Sequence, residues 1–371
     1  MTLELTAVGA AHEAIAQFSG KEDSQRLVAS KCRALLLGYH SRWGLPDFDI
    51  LAVEQLAQSD LYNPATQAKS RTFSVAGKID LIVNRFGRRV LFDHKTTSED
   101  IKDPNSTYWR QLVVEAQPSH YMLLEWLNGR KVDEATWDVM RKPDIRPKQV
   151  AKKDREETLR YGHYFGVKLS ADSLEELRIT ERESLEMYEC RLLHDCTKER
   201  PEHYFQRRTV MRLDAEIHEH ATEIWDYSQE IILARRLARH SKNSGACIYY
   251  SRPCKYLGIC SGHDEATSNN WKAKEQVHDE LILIGTDGRD VLTNSRLTEF
   301  KTCRRKHFYS FEMGIDRIEE EEAEVLYFGS LWHKALEAYF VTIQKGQNGN
   351  NNDGPAGSEL ATTGTATNAE I

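Results

Sequence analysis

The chain has 371 residues and sets 50 Lys and Arg against 57 Asp and Glu, a formal net charge of −7. That balance argues against a protein that coats duplex DNA by bulk charge, while leaving room for local patches that grip phosphates. No apolar run approaches the roughly 20 residues of a membrane span, and Met1 to Ala10 lacks the basic-then-apolar build of a signal peptide, so a cytoplasmic protein without a membrane segment is expected.

Such a length accommodates one large or two ordinary domains. Seven cysteines, odd in number and unevenly spaced, fit a reducing compartment and metal ligation better than a disulfide framework. Apolar periodicity predicts helices over 4–18 and 22–43, with Leu27, Leu35, Leu36, Tyr39 and Trp43 forming the stripe of the second. His12 and Cys32 within them read as packing residues. The segment from Glu54 to Ser70 reads as a lead-in through an Asn63-Pro64 turn.

Phe73 to Lys95, FSVAGKIDLIVNRFGRRVLFDHK, predicts a β-hairpin, because β-branched and aromatic residues flank an Asn-Arg-Phe-Gly-Arg turn. A turn centred on Phe86 and Gly87 puts Asp80 opposite Asp93, with Cβ atoms roughly 4.5–5.5 Å apart on one face. Lys95 shares that face, while Phe92 and His94 point to the other. Two carboxylates so close repel unless a cation or a shared proton lies between them, and hard oxygen ligands suit Mg²⁺ or Mn²⁺. Such an ion turns bound water into a nucleophile and steadies a phosphoryl oxygen, with Lys95 placed to hold the water or the developing oxyanion. Gly77 allows close backbone approach.

Beyond a polar loop over 96–105, Pro118 sits in the first turn of a helix that runs to about Leu127 and brings Gln117 and Tyr121 to one face. Ala135 to Met140 reads as a strand. It opens onto a basic stretch holding Arg141, Lys142, Arg146, Lys148, Lys152, Lys153 and Arg155, which serves either as a solvated loop or as a phosphate-binding edge. Long amphipathic helices are predicted over 171–200 and 211–240. Cys247, Cys254 and Cys260 then fall in one aromatic-rich loop, CIYYSRPCKYLGIC. A fourth thiolate would complete a tetrahedral zinc site or a cubane iron–sulfur cluster, and Cys303, in the helical segment SRLTEFKTCRRKHFYSFEMG, is the best candidate.

The spacing G-K-I-D, then D-H-K, then Q-x-x-x-Y resembles the PD-(D/E)XK nuclease core, and in particular its RecB and AddB branch. FGSLWHKALEAYF resembles the G-x-x-x-H helix of that branch, with Gly329 and His333 at the family spacing, and the cysteines resemble those of AddB-type and CRISPR-associated RecB-like nucleases. The resemblance covers most of 30–265 and 291–342. It implies an α/β fold: a restriction-endonuclease-like mixed sheet flanked by helices, with a helical iron–sulfur subregion. It also implies hydrolysis of DNA with single-stranded character, and a metal held by Asp80, Asp93 and His333 with the backbone carbonyl of His94 as a further ligand. Lys95 would activate water, Gln117 and Tyr121 would guide the strand, and a [4Fe–4S] cluster on the four cysteines would be favoured over Zn²⁺.

One departure stands out, since the cysteine helix and the G-x-x-x-H helix precede the aspartates in the family but come last here. A circular permutation accounts for this. It divides the chain into a nuclease core over 1–267, a linker over 268–290, the completing helices over 291–344, and a disordered tail over 345–371, which has no aromatic residue. Completion of a second chain's site by swapping, or a misassembled reading frame, would give the same order. Two other functions remain open at this level: a DNA-binding subunit that has lost catalysis, and a redox device built on the cysteines. Helicase or recombination partners are compatible with the sequence, although G-x-x-x-x-G-K-[ST] does not occur in it.

Overall fold

The computed structural model describes residues 3–249, 252–274, 288–318 and 324–351. Three consecutive antiparallel strands form its centre: β1 (Asp49–Tyr62), β2 (Lys69–Arg85) and β3 (Arg88–Thr97). The β2–β3 turn places Phe86 at φ 53° and Gly87 at φ 79°. A two-residue hairpin loop needs positive φ at both positions when its twist matches the strands, and Phe86 bears that cost with its ring in solvent. A crossover through α3 (Thr107–Val113) and α4 (Gln117–Leu127) returns the chain to β4 (Glu134–Arg141), parallel to β3, and β5 (Phe205–Val210) closes that edge antiparallel.

Helices cover both faces, as a sheet with two apolar faces requires. On one side α1 (Leu3–Phe18), α2 (Asp23–Trp43) and the last helix, α10 (Glu324–Asn351), bury Leu36, Trp332 and Phe340 against Val83, Val90 and Phe92. On the other, Tyr121 and Leu124 of α4, Ile224 of α8 (Asp214–Leu237) and Phe300 of α9 (Asn294–Thr302) pack on Ile82 and Leu91. Between β4 and β5 the chain makes a lobe from α5 (Lys152–Tyr161), α6 (Ala171–Thr180) and α7 (Leu185–His194), with a small core around Leu177 and Met187.

The C-terminal third is built into this core. Strand β7 (Asp290–Leu292) adds parallel to β2 at Phe73–Val75, while β6 (Trp271–Ala273) pairs with β8 (Ile315–Arg317) beside the cysteine loop. The fold is therefore a mixed sheet flanked by helices, as expected.

Several expectations need correction. The lead-in from Glu54 is largely strand β1. The long helix over 171–200 is two helices, separated where Glu181 turns to φ 58°. The helix around Cys303 breaks at that residue, which is extended at φ −163°. The linker over 268–290 contributes β6 and the start of β7, its middle lying outside the described residues. The tail over 345–371 begins as helix: α10 continues to Asn351, Leu3 packs against Gly346, and Gln347 bonds the backbone of Phe48 and Ile50. The rest of the tail lies outside the described residues.

Candidate active site

Strands β2 and β3 pair as far as Leu81 and Phe92, so the next step brings Asp80 opposite Asp93, and there the two strands part. β3 runs on as the partner of β4, with Asp93 beside Trp137. The amide of His94 donates to Oδ2 of Asp80 at 2.8 Å, so the carboxylate takes the place of a ladder carbonyl and is fixed in direction. On the other side of β2, the pairs Val53–Leu81 and Gln55–Ile79 bracket Glu54 opposite Asp80. Three carboxylates thus lie in a row across three adjacent strands, roughly 4.7–4.9 Å from strand to strand.

A lysine accompanies each outer carboxylate. Lys78 Nζ lies 2.8 Å from Glu54, and Lys95 Nζ lies 2.5 Å from Oδ2 of Asp93. Neither oxygen of the buried Asp93 has an aligned hydrogen-bond partner. Lys95 also donates to Oε1 of Gln117 at 2.8 Å, and Nε2 of Gln117 donates to the Tyr121 hydroxyl at 2.8 Å. Burial pushes the Asp93 carboxyl up, against the pull of Lys95. It disfavours the Lys95 ammonium too, but Asp93 and Asp80 outweigh it and hold that group above its ordinary value. Lys95 is therefore charged at neutral pH.

The opposite end of the chain supplies the imidazole. Nδ1 of His333, on α10, lies 3.9 Å from Oδ2 of Asp80 in the same chain. Burial, then the positive neighbours His94 and Lys95, hold His333 below its ordinary pKa, so its ring is neutral at pH 7 and keeps a lone pair for a metal. Glu54, Asp80 and His333 each offer a ligand atom within 4.8 Å of the other two. Hard carboxylate oxygens plus one imidazole, beside the buried and unaligned Asp93, fit Mg²⁺ or Mn²⁺.

The side chain of His94 turns to the reverse face, as the strand alternation required, with its ring centroid 6.4 Å from that of His333. There its ring stacks on Phe340 at 5.5 Å between centroids and lies 3.4 Å from buried Asp138. Asp138 accepts from the Tyr39 hydroxyl at 2.5 Å and from Arg207 at 3.2 Å. Burial alone would raise the Asp138 carboxyl, but Arg207, His94 and Tyr39 hold it well below its ordinary value. This charged network braces β3 from behind.

The carboxylate row opens into a cavity of about 840 Å³. Gln117 and Tyr121 line one wall, Gly329, His333 and Lys334 another, and Thr293 to Ser295 at the start of α9 a third. From the basic stretch, Lys142 reaches this cavity and Arg146 lines an adjoining groove, whereas Arg155 is tied to Glu181.

A sequence model of the PD-(D/E)XK nuclease superfamily matches residues 4–261 and 291–364. The chain belongs to the PD-(D/E)XK nuclease superfamily. Neither the curated proteins nor the solved structures contain a match. Membership implies nuclease chemistry on a nucleic-acid phosphodiester, for which the superfamily uses divalent metal.

Cys247, Cys254, Cys260 and Cys303, four of the seven cysteines, converge on one small cavity apart from the carboxylates, with Arg305, Lys306 and Tyr256 in its wall. Cys303 arrives at the break after α9, where the amide of Asn243 approaches its Sγ at 3.4 Å. Tyr256 is locked by stacking on Trp271 and by donating to the carbonyl of Ile315 at 2.7 Å, which holds the cysteine loop against β6 and β8. Among the described residues, no three cysteine sulfurs come within 4.8 Å of one another.

Glu54 is the site residue that sequence reasoning missed. Its signal would have been the pairing of β1 with β2, but the ladder slips between Asp60 and Tyr62, so counting back from the Asn63-Pro64 turn does not yield the register.

Proposed function

We propose that the protein is a Mg²⁺- or Mn²⁺-dependent deoxyribonuclease of the RecB- and AddB-like branch, an exonuclease acting on DNA with single-stranded character in repair, recombination or phage and CRISPR DNA processing. The observation that carries this reading is the meeting of Asp80, the Asp93–Lys95 pair and His333 at the point where β2 and β3 separate. Asp80, Asp93, His333 and the carbonyl of His94 would hold the ion. A divalent cation there lowers the pKa of a bound water and neutralises charge on the phosphoryl oxygen.

The remaining work falls to side chains. Lys95, charged and anchored between Asp93 and Gln117, orients the water and faces the charge that develops on the phosphate. Gln117 and Tyr121 line the wall along which the strand would run, with the buried Tyr121 holding Gln117 in place through its hydroxyl. The test is product analysis with Mg²⁺ or Mn²⁺ on end-labelled linear DNA and on covalently closed circles. Release of short products from linear ends with circles intact is expected; nicked or linearised circles would contradict exonuclease action.

The motif order is read as a circular permutation closed within one chain. In support, the superfamily model matches in two segments that skip 262–290. Gly346 near the end of α10 touches Leu3 at the start of α1, so ends that the permutation would have created are neighbours. The described helix carries His333 to Asp80 within one chain.

The cysteines are read as ligands of a [4Fe–4S] cluster that pins the helical subregion. The resemblance of these cysteines to those of AddB-type and CRISPR-associated RecB-like nucleases is what favours a cubane. Arg305 and Lys306 in the wall offset the charge of the thiolates. A helicase or recombination partner would supply the unwound strand.

A further inference from the structure

We infer that Glu54 is a ligand of the active-site cation, and that Lys78 is the counter-ion which the cation displaces from it. The inference rests on the metal-dependent nuclease reading and extends its ligand set to a third strand. The ladder brackets Glu54 opposite Asp80, on the side of β2 away from Asp93. A six-coordinate Mg²⁺ with bonds of about 2.0–2.1 Å spaces its ligand atoms about 3 Å apart when adjacent and about 4 Å apart when opposite. Atoms of Glu54, Asp80 and His333 all fall within 4.8 Å of one another, so shifts of about 1 Å or less bring them into one coordination sphere.

Two further observations point the same way. Asp93, buried and without an aligned hydrogen-bond partner, opens into the same cavity, so the set is not a surface cluster of acids. Glu54 itself sits mid-strand at φ 51°, a conformation that L side chains seldom adopt.

The lysines are arranged alike about the row. Lys78 precedes Asp80 by two residues and pairs with Glu54, whereas Lys95 follows Asp93 by two and pairs with it. Lys78 and the cation compete for the same carboxylate. Once displaced, the Lys78 ammonium remains on the wall of the cavity, beside the path of a phosphate.

The experiment is Mn²⁺ titration of the full chain without DNA, read by the loss of the free-ion EPR signal. Glu54→Gln is expected to weaken Mn²⁺ binding roughly tenfold or more, as loss of a metal-site partner does. Glu337→Gln, which removes a negative charge from the same cavity outside the set, is expected to change it by less than about threefold, since that charge is already paired with Lys334 at 2.9 Å and partly screened. Unchanged affinity in Glu54→Gln, or an equal loss in Glu337→Gln, overturns the inference. Should Glu54→Gln lack the wild-type circular-dichroism spectrum, Lys78→Met decides: tighter Mn²⁺ binding supports the competition, and unchanged or weaker binding refutes it. Failure of the wild type to bind Mn²⁺ would sink the nuclease reading itself. Normal wild-type binding that is lost in Asp80→Ala but kept in Glu54→Gln would sink this inference alone.

Discussion

Gly77 lies where a single methyl group should disturb both the core and the site. A Cβ built on it meets Cε1 of Tyr121 at 2.8 Å and Cδ1 of Leu124 at 3.2 Å. Carbon atoms sit comfortably at about 3.5–4.0 Å, so the Tyr121 ring must retreat by about 0.7 Å or more. That ring is buried between α4 and β2, and overpacking of this kind costs about 1–3 kcal/mol. The loss of chain entropy in the unfolded state that accompanies Gly→Ala returns about 0.4–1 kcal/mol. Gly77→Ala should therefore lower stability in urea denaturation by about 1–2 kcal/mol. Because the Tyr121 hydroxyl holds Gln117, and Gln117 holds Lys95, the shift should also reduce DNA cleavage, by up to about 100-fold for a displacement near 1 Å. Tyr121→Ala makes room, so the double variant should be more stable than the sum of the single changes, by about 1 kcal/mol. A Gly77→Ala protein as stable as the wild type, with additive behaviour in the double variant, would refute the packing argument.

Two other outcomes follow from the buried histidines and the cysteines. His120 and His220 are buried with ring centroids 5.7 Å apart, and burial holds them down to about 4 and about 3. The unfolded chain takes up their protons below about pH 6.5 and the native state does not, so stability should fall as the pH drops from 6.5 toward 4. By pH 5 each ring should cost about 2 kcal/mol, and His120→Leu should shrink the loss between pH 7 and pH 5 by that amount in urea titrations; an undiminished loss would count against it. The protein purified without oxygen should absorb near roughly 400 nm, as iron–sulfur centres do, and Cys303→Ser should bleach that band. A colourless protein carrying one equivalent of zinc would contradict the cluster.

Much of the candidate site's geometry was legible because a two-residue turn fixes register. With Phe86 and Gly87 at positive φ, the pairing of Asp80 with Asp93 and the opposed faces of Lys95 and His94 follow by counting. β1 was not legible, because its residues are mostly half-buried and give no clean alternation. Its slipped ladder hid the partner of Asp80. The break between α6 and α7 falls on Glu181, a residue with no special claim to positive φ, and no local signal marks it. Gly346 and Gln347 read as tail by composition, yet α1 and the start of β1 hold them in helix, a tertiary effect that overrides local preference. What approaches Gly77 also differs from expectation, for it is the side chain of Tyr121 rather than a backbone. His333 became a candidate through resemblance, and the fold brings it to Asp80.

The central claim is that Asp93 and Lys95 serve phosphodiester hydrolysis with a divalent ion. Its most direct measurement is cleavage of end-labelled single-stranded DNA with Mn²⁺, with and without EDTA, by the wild type, Asp93→Ala and Lys95→Ala. Metal-dependent cleavage by the wild type and none by either variant is expected, with circular dichroism and thermal unfolding showing both folded. Cleavage that persists in both folded variants would contradict it.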